Sequence, residues 1–343
     1  MLAEPASGVS AVVSRVGAIQ AQSAAAARLA IRVRSKGLTA ASVDRAVSDT
    51  RSVVRTWAMR GTLHMVPSAD VRWLIGLLGP RFTKVGQRRR DQLGLTNALC
   101  AKALTALATI LKAGPLTRAQ IVEQLADHGV RIDLKTQAPP HLLMYAANQG
   151  LICRGPDVEK DEPTYVLLAD WLHGKPEHSP ADPLAELARR YLTGHAVATP
   201  ADFVSWSGLP AGDGKRAFEL LGDELLPVGP GFALAAASLK PPKDCPPRLL
   251  GQFDAYLLGY KGRSLILDPK HEKKIRAGGG MLNPAALADG RLVGTWRLDR
   301  TAKAIKVIVT PFDKLPRGAK AGLAAEAEDI GRFLGSPATL TIG

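Results

Sequence analysis

Apolar positions recur at helical intervals through the first 240 or so residues and at strand-like intervals afterwards. Val9–Ile19 is an apolar-periodic run, and the alanine-rich stretch from Ala24 to Arg34 predicts a helix. Three threonines then open similar segments: Thr39-Ala-Ala-Ser-Val, Thr117-Arg-Ala-Gln-Ile-Val and Thr199-Pro-Ala-Asp-Phe-Val. Each follows a loop and precedes a short apolar-periodic stretch, the position of an N-cap. Pro200 falls at the first helical position, where its missing N–H costs nothing. Spacings of 78 and 82 residues are too long for a solenoid repeat and match a compact domain.

The middle copy predicts a helix over 98–112 stopped by Gly114-Pro115, a second from Thr117 through Ala126 ended by Gly129, and a third from Pro140 to Asn148 closed at Gly150. Leu151–Arg154 and Thr164–Leu168 flank a polar turn and predict a hairpin. Three helices followed by a hairpin is the pattern of a winged helix. The third copy repeats it with helices at Leu184–Leu192, Ala201–Ser207 and Lys215–Leu221 and strands near 225–228 and 231–234. The first copy is less regular, because extra helix precedes Thr39. After Pro246-Pro247 the texture changes, and strands are expected at Leu257–Tyr260, Ser264–Leu267, Leu292–Arg297 and Ala304–Val309. A turn at Asp289-Gly290 and a closing helix near Ala319–Leu334 complete the expectation. The fold class is therefore α+β, with three tandem winged-helix units followed by a small antiparallel β unit. The expected segments are residues 1–96, 97–181, 182–242 and 243–343.

Composition narrows the class of protein. The 343 residues are 46% hydrophobic, 22% charged and 5% aromatic, enough for two ordinary domains or several small ones. The longest uncharged stretch, Thr136–Cys153, contains Pro139, Pro140, Asn148 and Gln149, so it is no bilayer span of ~20 apolar residues. No basic residue precedes Arg15, which argues against a secretory signal. Cys100, Cys153 and Cys245 stand far apart, against both a disulfide framework and a cysteine-rich zinc site. A cytoplasmic protein is expected. The net charge of +14 is uneven: residues 1–96 carry +10, residues 97–239 carry −4, and residues 240–343 carry +8. Two basic ends point to a polyanionic partner, although solvated Lys and Arg faces produce the same totals.

Several enzyme motifs fail. Gly212-Asp-Gly214-Lys215-Arg216 lacks the first glycine and the Ser/Thr of a phosphate loop. His271-Glu272 has Ile275 where a zincin needs its second histidine, and Gly278-Gly279-Gly280 has no strand–helix setting. No Gly-x-Ser-x-Gly elbow exists, so no metal and no cofactor is expected. What remains is Gln20-Ala21-Gln22, between two apolar runs. Residues i and i+2 diverge on a helix but share a face in extended backbone, where two carboxamides can hold one water without carrying charge. The same spacing also fits polar residues at a helix junction. Downstream, Arg55–Val66 read as a strand puts Arg60, Thr62 and His64 on one face, a set suited to a phosphate or flipped nucleotide, or equally to a core edge with a satisfied histidine.

These segments together with Phe253-Asp254, Leu257-Leu-Gly, Arg263 and Gly294-Thr-Trp-Arg297 resemble, in order along most of the chain, the bacterial AlkZ-type winged-helix DNA glycosylases. The resemblance implies a concave scaffold gripping double-stranded DNA, excision of N7-alkylated guanine, unhooking of interstrand crosslinks, and DNA repair by a monofunctional hydrolase. It assigns the paired-glutamine catalytic motif to Gln20 and Gln22. Asp at the second position marks another branch, so Gln22 implies the crosslink-unhooking one. It also implies a DNA-entering hairpin, placed at Asp268–Arg276 and the glycines that follow, with Lys270, His271, Lys273, Lys274 and Arg276 as DNA contacts. That segment carries no aromatic wedge. The implied partner is duplex DNA bound by a monomer in the cytoplasm, at the nucleoid, with no membrane association. Tandem winged helices with a basic surface fit a non-catalytic regulator or a lesion- or drug-binding protein equally well.

Overall fold

The structure is a computed structural model that describes residue 2 and residues 4–240, 242–301 and 304–343. It is mixed α+β and forms two compact units, Met1–Val43 with Leu187–Gly343, and Asp44–Glu186. Residues of the first expected segment thus contribute to both units.

The chain begins with α1 (Val9–Val16), whose Val9, Val12, Val13 and Val16 are buried. Gly17, at φ 86°, ends it, and the two-residue strand β1 (Ile19–Gln20) follows. Helix α2 (Ala24–Arg32) is capped by Ser23, whose hydroxyl accepts from the Ala26 N–H at 3.2 Å. Helix α3 (Ala40–Ser48) begins at Thr39, whose hydroxyl accepts from the Ser42 N–H at 3.2 Å. Strands β2 (Val53–Trp57) and β3 (Leu63–Pro67) pair antiparallel, with Thr56 opposite His64. The single strand expected over Arg55–Val66 is therefore wrong: a 3-10 turn at Met59–Gly61 folds it into a hairpin, with Arg60 in left-handed backbone at φ 56°. The long helix α4 (Val71–Gln92) follows.

Helices α5 (Asn97–Ile110), α6 (Arg118–Asp127) and α7 (Ala138–Asn148) enclose a core that includes Leu107, Leu125, Leu142 and Ile152. Thr96 caps α5, and Thr117, in the short strand β4 (Leu116–Thr117), forms a reciprocal capping box with Gln120. Strands β5 (Ile152–Val158) and β6 (Glu162–Leu167) are the predicted hairpin with longer arms. Within this unit the sheet runs β3-β2-β5-β6-β4.

Helices α8 (Leu168–Trp171) and α9 (Pro183–His195) lead to α10 (Pro200–Ser207), again opened by a threonine capping box, Thr199 with Asp202. Helix α11 (Ala211–Leu221) and the hairpin of β7 (Leu225–Val228) with β8 (Gly231–Leu234) follow as predicted.

The C-terminal region departs most from expectation. After β9 (Arg248–Leu250), the apolar Leu257–Tyr260 contributes not to a strand but to the short helix α12 (Ala255–Leu258). Asp254 caps that helix by accepting from the Tyr256 N–H at 2.9 Å. Ser264–Leu267 is likewise no strand: the Ile266 and Leu267 N–H groups both donate to the Arg263 carbonyl, closing a turn. Here apolar content signalled burial of Leu257 and Leu267 from both sides rather than pleated backbone. Helix α13 (Glu272–Ile275) runs into the small hairpin of β10 (Arg276–Gly278) and β11 (Met281–Leu282). Strands β12 (Ala285–Ala288), β13 (Arg291–Arg300) and β14 (Ile305–Pro311), then α14 (Ala319–Leu334) and β15 (Ala338–Ile342), complete a five-stranded sheet in the order β15-β14-β13-β12-β9. Asp289 and Gly290, at φ 50° and 73°, make the predicted tight turn. The sheet is mixed, not purely antiparallel, because α14 carries the chain back and β15 joins parallel to β14.

Candidate active site

Gly17 stops α1, and buried Ala18 and Ile19 tie the extended connector down. Side chains alternate across extended backbone, so buried Ala21 places Gln20 and Gln22 on the opposite side. Gln20 is half-buried and Gln22 is exposed. The two carboxamides touch: Gln20 Nε2 donates to Gln22 Oε1 at 2.6 Å. That bond fixes both side chains and leaves the amide donors of Gln22 and a second lone pair on its oxygen for a third party. The arrangement carries no charge and does not titrate.

Helix α2, which follows the connector, is anchored at its C-terminal end by buried arginines. Arg34 makes a two-pronged ion pair with fully buried Asp254, at 2.7 and 2.6 Å. Arg32 reaches Glu326 and Asp329, each at 2.8 Å, and the Leu249 carbonyl. These arginines count toward the basic N-terminal charge yet are spent on internal pairs, so the charge total overstates what faces a partner. No local spacing signals the Arg34–Asp254 pair, whose members lie 220 residues apart. Arg55 is also structural, bound to Asp157 at 2.6 and 2.8 Å. Gly294 lies where any Cβ would come within 2.6 Å of the Thr310 carbonyl, and Trp296 donates to the Leu250 carbonyl at 2.8 Å.

Arg60, Thr62 and His64 do not line one strand face. Arg60 sits on the hairpin turn, and burial lowers its pKa to about 10. The Thr62 hydroxyl donates to the Met59 carbonyl at 3.1 Å. His64 is only 2% exposed and its Nδ1 lies 2.9 Å from the Thr62 carbonyl. Burial, with Arg60 adding to it, pushes the His64 pKa down to about 3, so the imidazole is neutral at physiological pH.

The basic segment expected as a hairpin is mostly helical. Lys270 and His271 lie on a 3-10 turn, Lys273 and Lys274 on α13, and the hairpin proper begins at Arg276. Its turn is Gly278-Gly279-Gly280, all at positive φ. Lys270 pairs with Asp313 at 3.0 Å, and Arg276 with Glu272 at 2.9 Å. Lys274 Nζ reaches the Phe312 carbonyl at 3.2 Å, and Lys273 is exposed. His271 is buried, stacked on Phe312, with Nε2 2.8 Å from Asp313 Oδ2. It therefore anchors this segment and is not presented to a ligand.

Among the described residues no cluster of three His, Cys, Asp or Glu side chains could hold a metal, and no single helix is long and apolar enough to cross a membrane. The profile of the family described as DNA glycosylase AlkZ-like matches residues 13–333, nearly the whole chain. The chain belongs to the AlkZ-like DNA glycosylase family. It is 29% identical to the interstrand DNA cross-link repair glycosylase of Streptomyces sahachiroi, over 94% of this chain and 90% of that protein. The solved structure of Streptomyces sahachiroi DNA glycosylase AlkZ matches with a TM-score of 0.82 at 26% identity, covering 100% of this chain and 96% of that one. As an AlkZ-like glycosylase, the protein is a hydrolase acting on DNA.

Proposed function

We propose that this protein is a monofunctional glycosylase that hydrolyses the N-glycosidic bond of N7-alkylated guanine in duplex DNA, including the linkages of interstrand crosslinks, with Gln20 and Gln22 positioning the attacking water. The observation that carries this reading is the hydrogen bond between the two carboxamides on the exposed side of the connector. N7 alkylation gives the base a positive charge, so it leaves without a general acid. The sugar passes through an oxocarbenium-like state. What the protein must add is a correctly placed nucleophile, and positioning alone lowers a barrier by up to ~7–11 kcal/mol in favourable cases. A neutral pair suits a site facing a cationic sugar, because it orients water without needing a proton shuttle. The low pKa of His64, about 3, fits the same chemistry: the histidine grouped with Arg60 and Thr62 in the proposed DNA-contacting set stays uncharged.

In this reading the segments 1–96, 97–181 and 182–242 are three tandem winged-helix units and 243–343 is the β unit with the basic approach segment. The enzyme works as a monomer on cytoplasmic, nucleoid DNA. Arg60 and Thr62 contact the DNA, and Lys270, Lys273, Lys274 and Arg276 meet phosphates, with His271 holding their backbone in place. The test is base release from duplexes carrying either N7-methylguanine or uracil. Release of the charged base only, leaving an alkali-labile abasic site in an uncut strand, is expected. Release of uracil at a comparable rate, or direct strand cleavage, would overturn the reading.

A further inference from the structure

Helix α4 carries six basic residues and one acidic residue, and they are not equivalent. Arg72 pairs with Glu177 at 3.3 Å. Arg89 donates to Gln137, and Arg90 is buried against Tyr145 and the Thr83 carbonyl. Arg81, Lys84 and Arg88 have no hydrogen-bond or carboxylate partner among the described residues, and Lys84 and Arg88 are exposed. At 100° per residue these three and Val85 fall within one arc of about 100° on the C-terminal half of the helix, and buried Gly79, Phe82 and Arg90 of that half lie outside it. Val85 is 57% exposed between the cations.

We propose that this face of α4 seats the phosphodiester backbone of duplex DNA. The inference rests on the glycosylase reading and adds to it a contact surface outside both the glutamine pair and the basic C-terminal segment. Arg81 to Arg88 spans about 10 Å along the axis, the reach of about three nucleotides at 3.4 Å each. Cations flanking an exposed apolar side chain match a strand that alternates charged phosphate with apolar deoxyribose. Compensation of the helix dipole explains basic residues in the last turn, Arg89 and Arg90, but not Arg81 and Lys84 two turns earlier. The neighbourhood is positive enough to act on His141, whose pKa is lowered by burial and by Arg89 and Arg90.

The test is binding of undamaged duplex oligonucleotides of two unrelated sequences across a salt series. Wild type is compared with Lys84→Ala/Arg88→Ala and with Lys215→Ala, a control that removes an exposed lysine already paired with Glu219. Each phosphate contact contributes about 0.9 to the slope of log affinity against log salt, so the double variant should lose about 2 from that slope, equally on both sequences. Lys215→Ala should leave it unchanged. The milder Lys84→Gln and Arg88→Gln single variants should each lose about half as much and guard against a folding effect. A wild-type slope and affinity in the folded double variant would overturn the proposal while leaving the glycosylase reading intact. Absence of duplex binding by wild type would overturn both. Retained binding with slower base release at saturating DNA would also overturn it, because a backbone contact of this kind acts on affinity and not on chemistry.

Discussion

Gln20 and Gln22, the proposed water-positioning pair, show how two uncharged side chains become one group. Each amide alone is an ordinary polar side chain; the extended connector and the 2.6 Å bond between them turn two into one oriented group. Neither amide titrates and His64 is held near a pKa of 3, so base release should be flat between about pH 5 and pH 8. An inflection near 6.5 that disappears in His64→Gln would show a titrating histidine in the reaction instead. Asp254 is the carboxylate partner of buried Arg34, just beyond α2. Removing it strands buried Arg34, which should cost about 3–5 kcal/mol of stability in denaturant unfolding. Asp254→Ala with a loss under about 1 kcal/mol would mean the pair is not structural. The glutamine proximity was legible because alternation in extended chain is a local rule. Arg60 was misplaced because the left-handed turn at φ 56° interrupts an alternation that the residue types alone continue. The Arg34–Asp254 pair was invisible because charge pairing across 220 residues leaves no local pattern.

At the scale of elements, the three threonine caps were legible for the same reason that the strands at 257 and 264 were not. An N-cap is satisfied within three residues, so Thr39, Thr117 and Thr199 announce themselves. Leu257 and Leu267 owe their burial to distant elements, and their apolar runs describe the core they enter but not the backbone that delivers them. Thr199→Ala removes the acceptor for the Asp202 N–H and half of the capping box, and should cost about 1 kcal/mol, measured as a shift in the unfolding midpoint. Thr199→Ser, which keeps the acceptor, should restore most of it. The turn 263–267 leaves Leu265 74% exposed, a product of the backbone closing on Arg263 rather than pleating.

Over the whole molecule, charge and burial act together. The sequence total of +14 includes Arg32, Arg34 and Arg55, all buried and paired, so the positive field available to DNA comes from fewer groups than composition suggests. Buried histidines contribute to acid sensitivity. Burial lowers the His195 pKa to about 4, below its unfolded value near 6.5. Between these values the unfolded chain binds the extra proton, so the contribution of His195 to stability is fully present above about pH 6.5 and declines as pH falls toward 4. Melting temperature across that window should drop less steeply in His195→Gln; an unchanged slope would assign the acid sensitivity elsewhere. The role of the glutamine pair is tested by base release from duplex N7-methylguanine by wild type, Gln20→Ala, Gln22→Ala and the double variant, with DNA affinity measured in parallel. A water-positioning pair should give intact binding and a fall in single-turnover release of more than about tenfold in each single variant, with the double variant little worse, as expected of two residues acting as one unit. Release at the wild-type rate by the double variant would contradict it.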